Sequence, residues 1–544
     1  MSILRTYFSG LAVAHLAWFY FFTTGHLLRR RTDDQGYSLD ELVITSVAGM
    51  AIAGFGLVFL GFIHFLNVLG IVLLLLFEGI LFWSLGRGNW LSIIFWRTIL
   101  ERMFKAWTMP AVFFYVIFLA VALPAVLPPT FSDSVTYHLA YAVEWAMSGR
   151  IHVDPFLRFP YYANNFLLLY SASFVLKLSA YCQFLTWLCG LLTCLGILAF
   201  VTDTSSSHAE GLFWKHLQPQ QFLIPLCVAL SPIFLRYLNV GLMDVPIGLF
   251  VLIPILCAYR SSPDRPYERE LVVVGAFCVG MKLTLIGHLP LFLGSLLFAT
   301  AHRLRRHQIV LLALTLIALS LPWYLRNLIE IHDPFPPLLN SYFHRIDPIF
   351  TGEAAQVYTA GTLTTRAPLS ILLLPFRFFV DPTSRSFLEF GVSTLILFLY
   401  GPILFLITQL WWRHSNRPPR SFVYLSIAVI YPVLPWLFSS LGRYSLHWYP
   451  VFVAWAGVLI THGCGWLKQR CRSPGALATA WFSTPVVCCV LVLPTPMTRC
   501  LRFYGAYYSG VIAEATSNSK KGYLTRHVRG YLESQAVIET LASN

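Results

Sequence analysis

Along this chain the apolar residues come in runs of about 20, the length that crosses a bilayer as a helix, and short polar breaks carrying Lys and Arg separate them. The run from Tyr7 to Leu28 is followed by Arg29, Arg30 and Arg31, with no small-residue cleavage site, so it reads as a retained first helix. Because basic loops mark the cytoplasmic side, residues 42–66 then run outward, 68–86 run back toward Arg87, Arg97, Arg102 and Lys105, and 109–127 run outward again. Pro128 therefore emerges outside. Basic clusters at Arg260/Arg265/Arg269, Arg303/Arg305/Arg306, Arg413/Arg417/Arg420 and Lys468/Arg470/Arg472 place four further points outside: Gly241–Asp244, Asn327 to about Phe387, Gly442–Tyr444 and the tail after Leu493.

One region breaks the alternation. Three apolar stretches, about 165–180, 181–201 and 219–238, separate two outside points, and an odd number of crossings cannot join them. We expect residues 163–201 to cross once, with part lying in the interface. The pattern predicts an all-α polytopic membrane protein of roughly 14 spans, with both termini outside. Residues 1–108 form N-terminal helices preceding a transmembrane core at 109–494 with outer loops 128–163 and 327–387, and 495–544 form an outer tail.

Composition agrees. The chain of 544 residues is 57% hydrophobic, 16% aromatic and 11% charged, with mean hydropathy +0.67, which is more apolar surface than a soluble core buries. A net charge of +14 raises the question of nucleic acid, but the basic residues fall between apolar runs and report topology, so no nucleic-acid partner is expected. Eleven cysteines lie mostly within apolar runs without CxxC or Cys/His spacing, which predicts neither a disulfide frame nor a zinc site.

The chemistry-bearing stretch is residues 128–151, PPTFSDSVTYHLAYAVEWAMSGRI. Pro128 and Pro129 end one helix, and Ser132 or Asp133 starts another running through Gly149, on which Asp133, Tyr137, Tyr141, Glu144 and Ser148 share a face. Two readings of Asp133 stay open: a helix cap, or a general base at a low-dielectric boundary. Asp244, at the outer start of a span, is likewise a cap for the helix beginning at Val245 or a site acid on the same side as Asp133. Lys282 lies in the apolar stretch GAFCVGMKLTLIGHLP, whose Gly and Pro content predicts a broken or short helix pair. It either snorkels to an interface or stabilises an anion. Arg326, and Arg443 beside Tyr444, are either solvated interfacial residues or bidentate phosphate clamps. Histidines 138, 332 and 344 have no ligand spacing, and no metal site is predicted.

Asp133 followed by Tyr137-His138, Ala142, Trp145 and Gly149 resembles the first outer loop of the GT-C superfamily, the integral-membrane glycosyltransferases that use polyprenyl-phosphate sugars. The likeness is to the branch of protein O-mannosyltransferases and aminoarabinose transferases. It continues through FPYYANNFLLLYSASFVLKL, NVGLMDVPIGLF, GMKLTL, PWYLRNLIEIHDPFPP and LGRYSLHWYP, covering roughly residues 110–465. Ser134 departs from it, standing where many relatives carry a second acid, which puts any divalent-metal requirement in doubt; no other cofactor is implied. The resemblance implies hexosyl or pentosyl transfer from a polyprenyl-phosphate donor to a hydroxyl of a protein, glycolipid or cell-wall acceptor. Transfer would be inverting and on the outer face, in a bacterial inner membrane. Asp133 would be the general base, Asp244 would orient the acceptor or share that role, and Tyr137, His138, Lys282, Arg326, Arg443 and Tyr444 would bind substrate. Intramembrane Asp and Lys also mark transport routes, so a transporter or flippase of a lipid-linked or small polar substrate is the alternative, and a scaffold subunit without activity is a third.

Overall fold

A computed structural model describes residues 3–28, 38–85, 109–127, 129, 133–154, 157, 161–178, 181–202, 219–263, 265–301, 303–336, 420–431 and 447–470. Every element among them is helical: α1 (Ile3–Gly25), α2 (Leu39–Phe62), α3 (Val68–Ser84), α4 (Met109–Val121), α5 (Leu139–Ser148), α6 (Leu167–Val175), α7 (Tyr181–Val201), α8 (Pro219–Ala229) and α9 (Pro232–Leu238). The second half supplies α10 (Asp244–Arg260), α11 (Glu268–Val279), α12 (Leu289–Thr300), α13 (Arg306–Ser320), α14 (Pro322–Ile331), α15 (Arg420–Ile430) and α16 (Tyr449–Arg470).

Among the described residues five helices are long and apolar enough to cross a membrane: Leu4–Leu28, Leu39–Phe62, Met109–Val126, Tyr181–Val201 and Leu283–Thr300. The pair α13 and α14, bent by 51° at Leu321–Pro322, makes a sixth if counted as one span. This is a multi-pass membrane architecture. The crossings expected within 337–419, 432–446 and beyond 470 lie outside the described residues, as do the long loop up to Phe387, Arg443, Tyr444 and the tail.

Helix lengths between residues 163 and 238 are uneven. Helix α6 has only 9 residues, about 14 Å at 1.5 Å per residue, whereas α7 has 21 and is buried along its whole length. The stretch 163–201 therefore contains a single helix of crossing length. Residues 219–238 divide at Leu230–Ser231 into α8 and α9, because Pro232 supplies no amide for a continuing ladder.

Helices α2, α7, α10 and α11 pack against one another, and their apolar side chains belong to one hydrophobic cluster that runs from Leu11 to Val458. Helix α2 lies within it, packed against α1, α7 and α11, so residue 108 is not a packing boundary among the described residues.

The two ends of the bundle differ chemically. At one end Arg260 bonds the Thr202 carbonyl at 2.5 Å, Arg303 pairs with Glu268 at 3.3 Å, and the Tyr267 hydroxyl donates to Asp40 at 3.2 Å. These residues sit where basic loops were expected. The opposite end gathers the α2–α3 turn, the segments 133–154 and 161–165, the turn before α10 and the break after α11. There Leu66 donates to the Gly149 carbonyl and Ile151 to that of Gly61, both at 2.9 Å, seating the C-terminus of α5 on the α2–α3 turn.

Candidate functional site

The expected single helix from 133 through 149 is in fact two pieces. Residues Ser134–His138 form one wide π-type turn, α5 follows, and Gly149 ends it at φ +69°. Asp133 occupies the cap position without a side-chain capping bond, so the capping reading of this aspartate does not hold. It is half-buried. The predicted common face is only partly realised. Tyr137 and Tyr141 are buried, whereas Ser148 is exposed.

Ser134 ties this segment to the second acid. Its hydroxyl is completely buried and donates to the Val240 carbonyl at 2.5 Å. The turn that contains Val240 is held from three other sides: Gln183 donates to the Asn239 carbonyl at 2.8 Å, Asn239 to that of Val121 at 2.8 Å, and the Tyr170 hydroxyl to that of Leu242 at 3.3 Å. Gly241 turns the chain there at φ +65°, a backbone state that costs a side-chain-bearing residue roughly 1–2 kcal/mol. Asp244 thus enters α10 on a fixed platform that the residue next to Asp133 helps to build.

Asp244 is 3% exposed and is the centre of a buried polar cluster. The His447 Nε2 lies 3.0 Å from its Oδ1, and the Lys282 Nζ lies 3.8 Å from the same oxygen. Nothing in the cap geometry of α10 requires that aspartate, since Met243 occupies the cap position. Each partner comes from a different place. Lys282 sits in extended backbone between α11 and the 3₁₀ turn Leu283–His288, the predicted break. His447 immediately precedes α16. A charge in an apolar bundle is costly unless paired, and one carboxylate beside two nitrogenous groups is a mutually satisfying set.

Asn165 braces the break. Its backbone amide donates to Gly280, its side-chain amide donates to Phe277 at 3.0 Å, and its side-chain carbonyl accepts from the Trp323 indole at 2.6 Å. Only glycine fits at 280, because a Cβ there would stand 2.2 Å from the Asn165 amide nitrogen. Through Trp323 the same asparagine fixes the helix that carries Arg326.

Arg326 is 9% exposed and stacks over the Trp323 ring at 5.0 Å. It donates to Asn327 at 2.8 Å and approaches Glu330 at 3.9 Å, while its Nη1 has no hydrogen-bond partner among the described residues. It belongs to a second polar group with Tyr141 and Tyr161. Burial pushes the Tyr141 hydroxyl well above its ordinary range, with Asp154 adding to the rise and Arg326 opposing it. The Tyr137 and His138 rings lie 4.1 Å apart at a tilt of 44° on the π-type turn, both buried. Glu144 pairs with His152 at 3.2 Å and takes no part in the Asp244 cluster.

Of the residues singled out from the sequence, Asp244 and Lys282 meet, whereas His447 and Asn165 were not among them. His447 lies in LGRYSLHWYP, where attention fell on Arg443 and Tyr444; the signal was a histidine directly before an apolar helix. Asn165 was visible only as an amide at the head of an apolar run. Among the described residues no group of three or more His, Cys, Asp or Glu is placed to hold a metal ion. Comparisons with protein-family models, with curated proteins and with solved structures give no match.

Proposed function

We propose that this protein is a glycosyltransferase that moves a sugar from a polyprenyl phosphate to an acceptor hydroxyl at the bundle end carrying Asp133 and Asp244. The observation that supports it is the Asp244–Lys282–His447 cluster beside the segment led by Asp133. It provides a carboxylate and cationic groups on one desolvated face, as acid–base displacement at a lipid phosphate requires.

In the proposed step the acceptor oxygen attacks the anomeric carbon and passes its proton to the Asp133 carboxylate. The bond from that carbon to the phosphate oxygen breaks, and the electron pair leaves on the polyprenyl phosphate. Lys282 stabilises the charge that develops there, and Asp244 holds Lys282 and His447 in position while orienting the acceptor. Burial makes each of these interactions stronger than in water. The face is the outer one of a bacterial inner membrane, in keeping with the basic loops at the opposite end.

Incubating the purified protein with labelled undecaprenyl-phosphate sugars and an acceptor tests the reading. Release of undecaprenyl phosphate is expected, and Asp133→Asn should abolish it while leaving the melting temperature unchanged. Undiminished turnover in that variant would refute the base assignment. A buried Lys–Asp pair at a broken helix also suits a transporter, and vectorial movement in vesicles without bond cleavage would favour that reading.

A further inference from the structure

His288 is a buried group beside the cluster that the proposed step leaves unused. It ends the 3₁₀ turn that begins just after Lys282, and it is 2% exposed. Its ring stacks on Trp448 with centroids 4.1 Å apart and planes at 29°, and the edge of Phe292 lies 6.2 Å away. Trp448 directly follows His447, which meets Asp244 at 3.0 Å, so the stack places His288 beside the Asp244 cluster. The Tyr431 hydroxyl donates to the Gly287 carbonyl at 2.7 Å, which holds the adjoining peptide.

Both ring nitrogens are buried, and neither has a hydrogen-bond partner among the described residues. That arrangement is unfavourable for the folded protein, since a buried polar atom without a partner loses its hydration and gains nothing in return. The aromatic stack alone would be served as well by phenylalanine. In its neutral form an imidazole carries one N–H donor and one acceptor nitrogen. A hydroxyl offers the complementary pair, one donor and one acceptor; a phosphate oxygen offers acceptors only.

We infer that His288 takes a hydroxyl of the sugar carried by the lipid phosphate, making it a determinant of donor recognition. The inference rests on the transferase reading only for the identity of the carbohydrate as the transferred group. Lys282 would hold the phosphate, and His288, farther along the same turn, would read the ring attached to it. In a site built this way, a donor lacking the matching hydroxyl is rejected because the imidazole stays unpaired.

The test uses the full chain in detergent and compares His288→Phe, which keeps the stack and removes both nitrogens, with His288→Asn, which keeps a donor and an acceptor. Binding of bare undecaprenyl phosphate and of its mannosyl, glucosyl and arabinosyl forms is measured, together with the melting temperature. For His288→Phe we expect on the order of tenfold weaker binding of the preferred sugar form, unchanged binding of bare undecaprenyl phosphate, and a melting temperature equal to or above that of the wild type. His288→Asn should restore part of the sugar preference.

Three results would overturn the inference. One is a His288→Phe protein that retains the full preference for the sugar form. Another is a fall in melting temperature with equal weakening toward every lipid, which marks the histidine as structural. The third is a wild-type protein that binds no sugar form better than the bare phosphate. Failure of the transferase reading looks different: the wild type would bind the sugar form with its His288 dependence intact, yet release no undecaprenyl phosphate when an acceptor is supplied.

Discussion

The cluster at Asp244 makes a quantitative demand on stability. Asp244→Ala removes the carboxylate that Lys282 approaches to 3.8 Å and His447 to 3.0 Å, taking the ion pair away from a buried ammonium group. Unit charges at that Lys–Asp separation attract by about 4 kcal/mol at an effective dielectric constant of about 20, and breaking a buried pair from one side typically costs about 3–5 kcal/mol. Lys282→Met, which keeps the length of the side chain and removes its charge, should cost less, because His447 still meets the carboxylate at 3.0 Å. The double variant strands neither charge, so its loss should fall short of the sum of the single losses by about 1–3 kcal/mol.

The buried cysteines supply the assay. Cys182, Cys189, Cys194, Cys257 and Cys278 are free and buried, so a thiol-reactive fluorophore reports unfolding as they become accessible. Melting midpoints taken at one heating rate should drop by roughly 5 °C or more in each single variant. The double variant should recover part of that drop. Strict additivity, with Asp244→Ala equally damaging whether residue 282 is Lys or Met, would show that the two side chains do not interact and would remove the basis for the proposed site.

Three further outcomes can be checked in the same way. Ser134→Ala leaves the Val240 carbonyl without its 2.5 Å donor and should destabilise by about 1–3 kcal/mol; under the transferase reading it should also lower turnover, because the platform beneath Asp244 loosens. Gly280→Ala drives a methyl to 2.2 Å from the Asn165 amide and should cost about 1–3 kcal/mol, a loss that Asn165→Ala in the same chain should partly relieve. Tyr141 carries an alkaline prediction, since burial raises its folded-state value above the unfolded one. Its contribution is complete below the unfolded value of about 10 and declines by about 1.4 kcal/mol per pH unit above it, where only the unfolded chain releases the proton. Denaturation between pH 9 and pH 11 (a range of about that width around the unfolded value) should therefore steepen in the wild type and flatten by one proton in Tyr141→Phe.

Hydrophobic run length and the spacing of Gly and Pro are local properties, and they sufficed for the membrane class and the break around Lys282. Asp244 was legible because a lone carboxylate at the head of an apolar helix is expensive. What the sequence could not decide is which polar residues become neighbours. His447 reaches Asp244 across 203 positions and Trp323 reaches Asn165 across 158, distances over which no periodicity or motif carries information. The structure also reassigned particular roles: Ser134, read as a missing acid, is a buried strut, and Asp133, read as a possible cap, makes no capping bond. Patterning selects helices because each residue's burial is set by its near neighbours along the chain. The composition of the candidate site is decided only when helices distant in sequence pack together and buried polar groups must find partners among whatever the packing brings within reach.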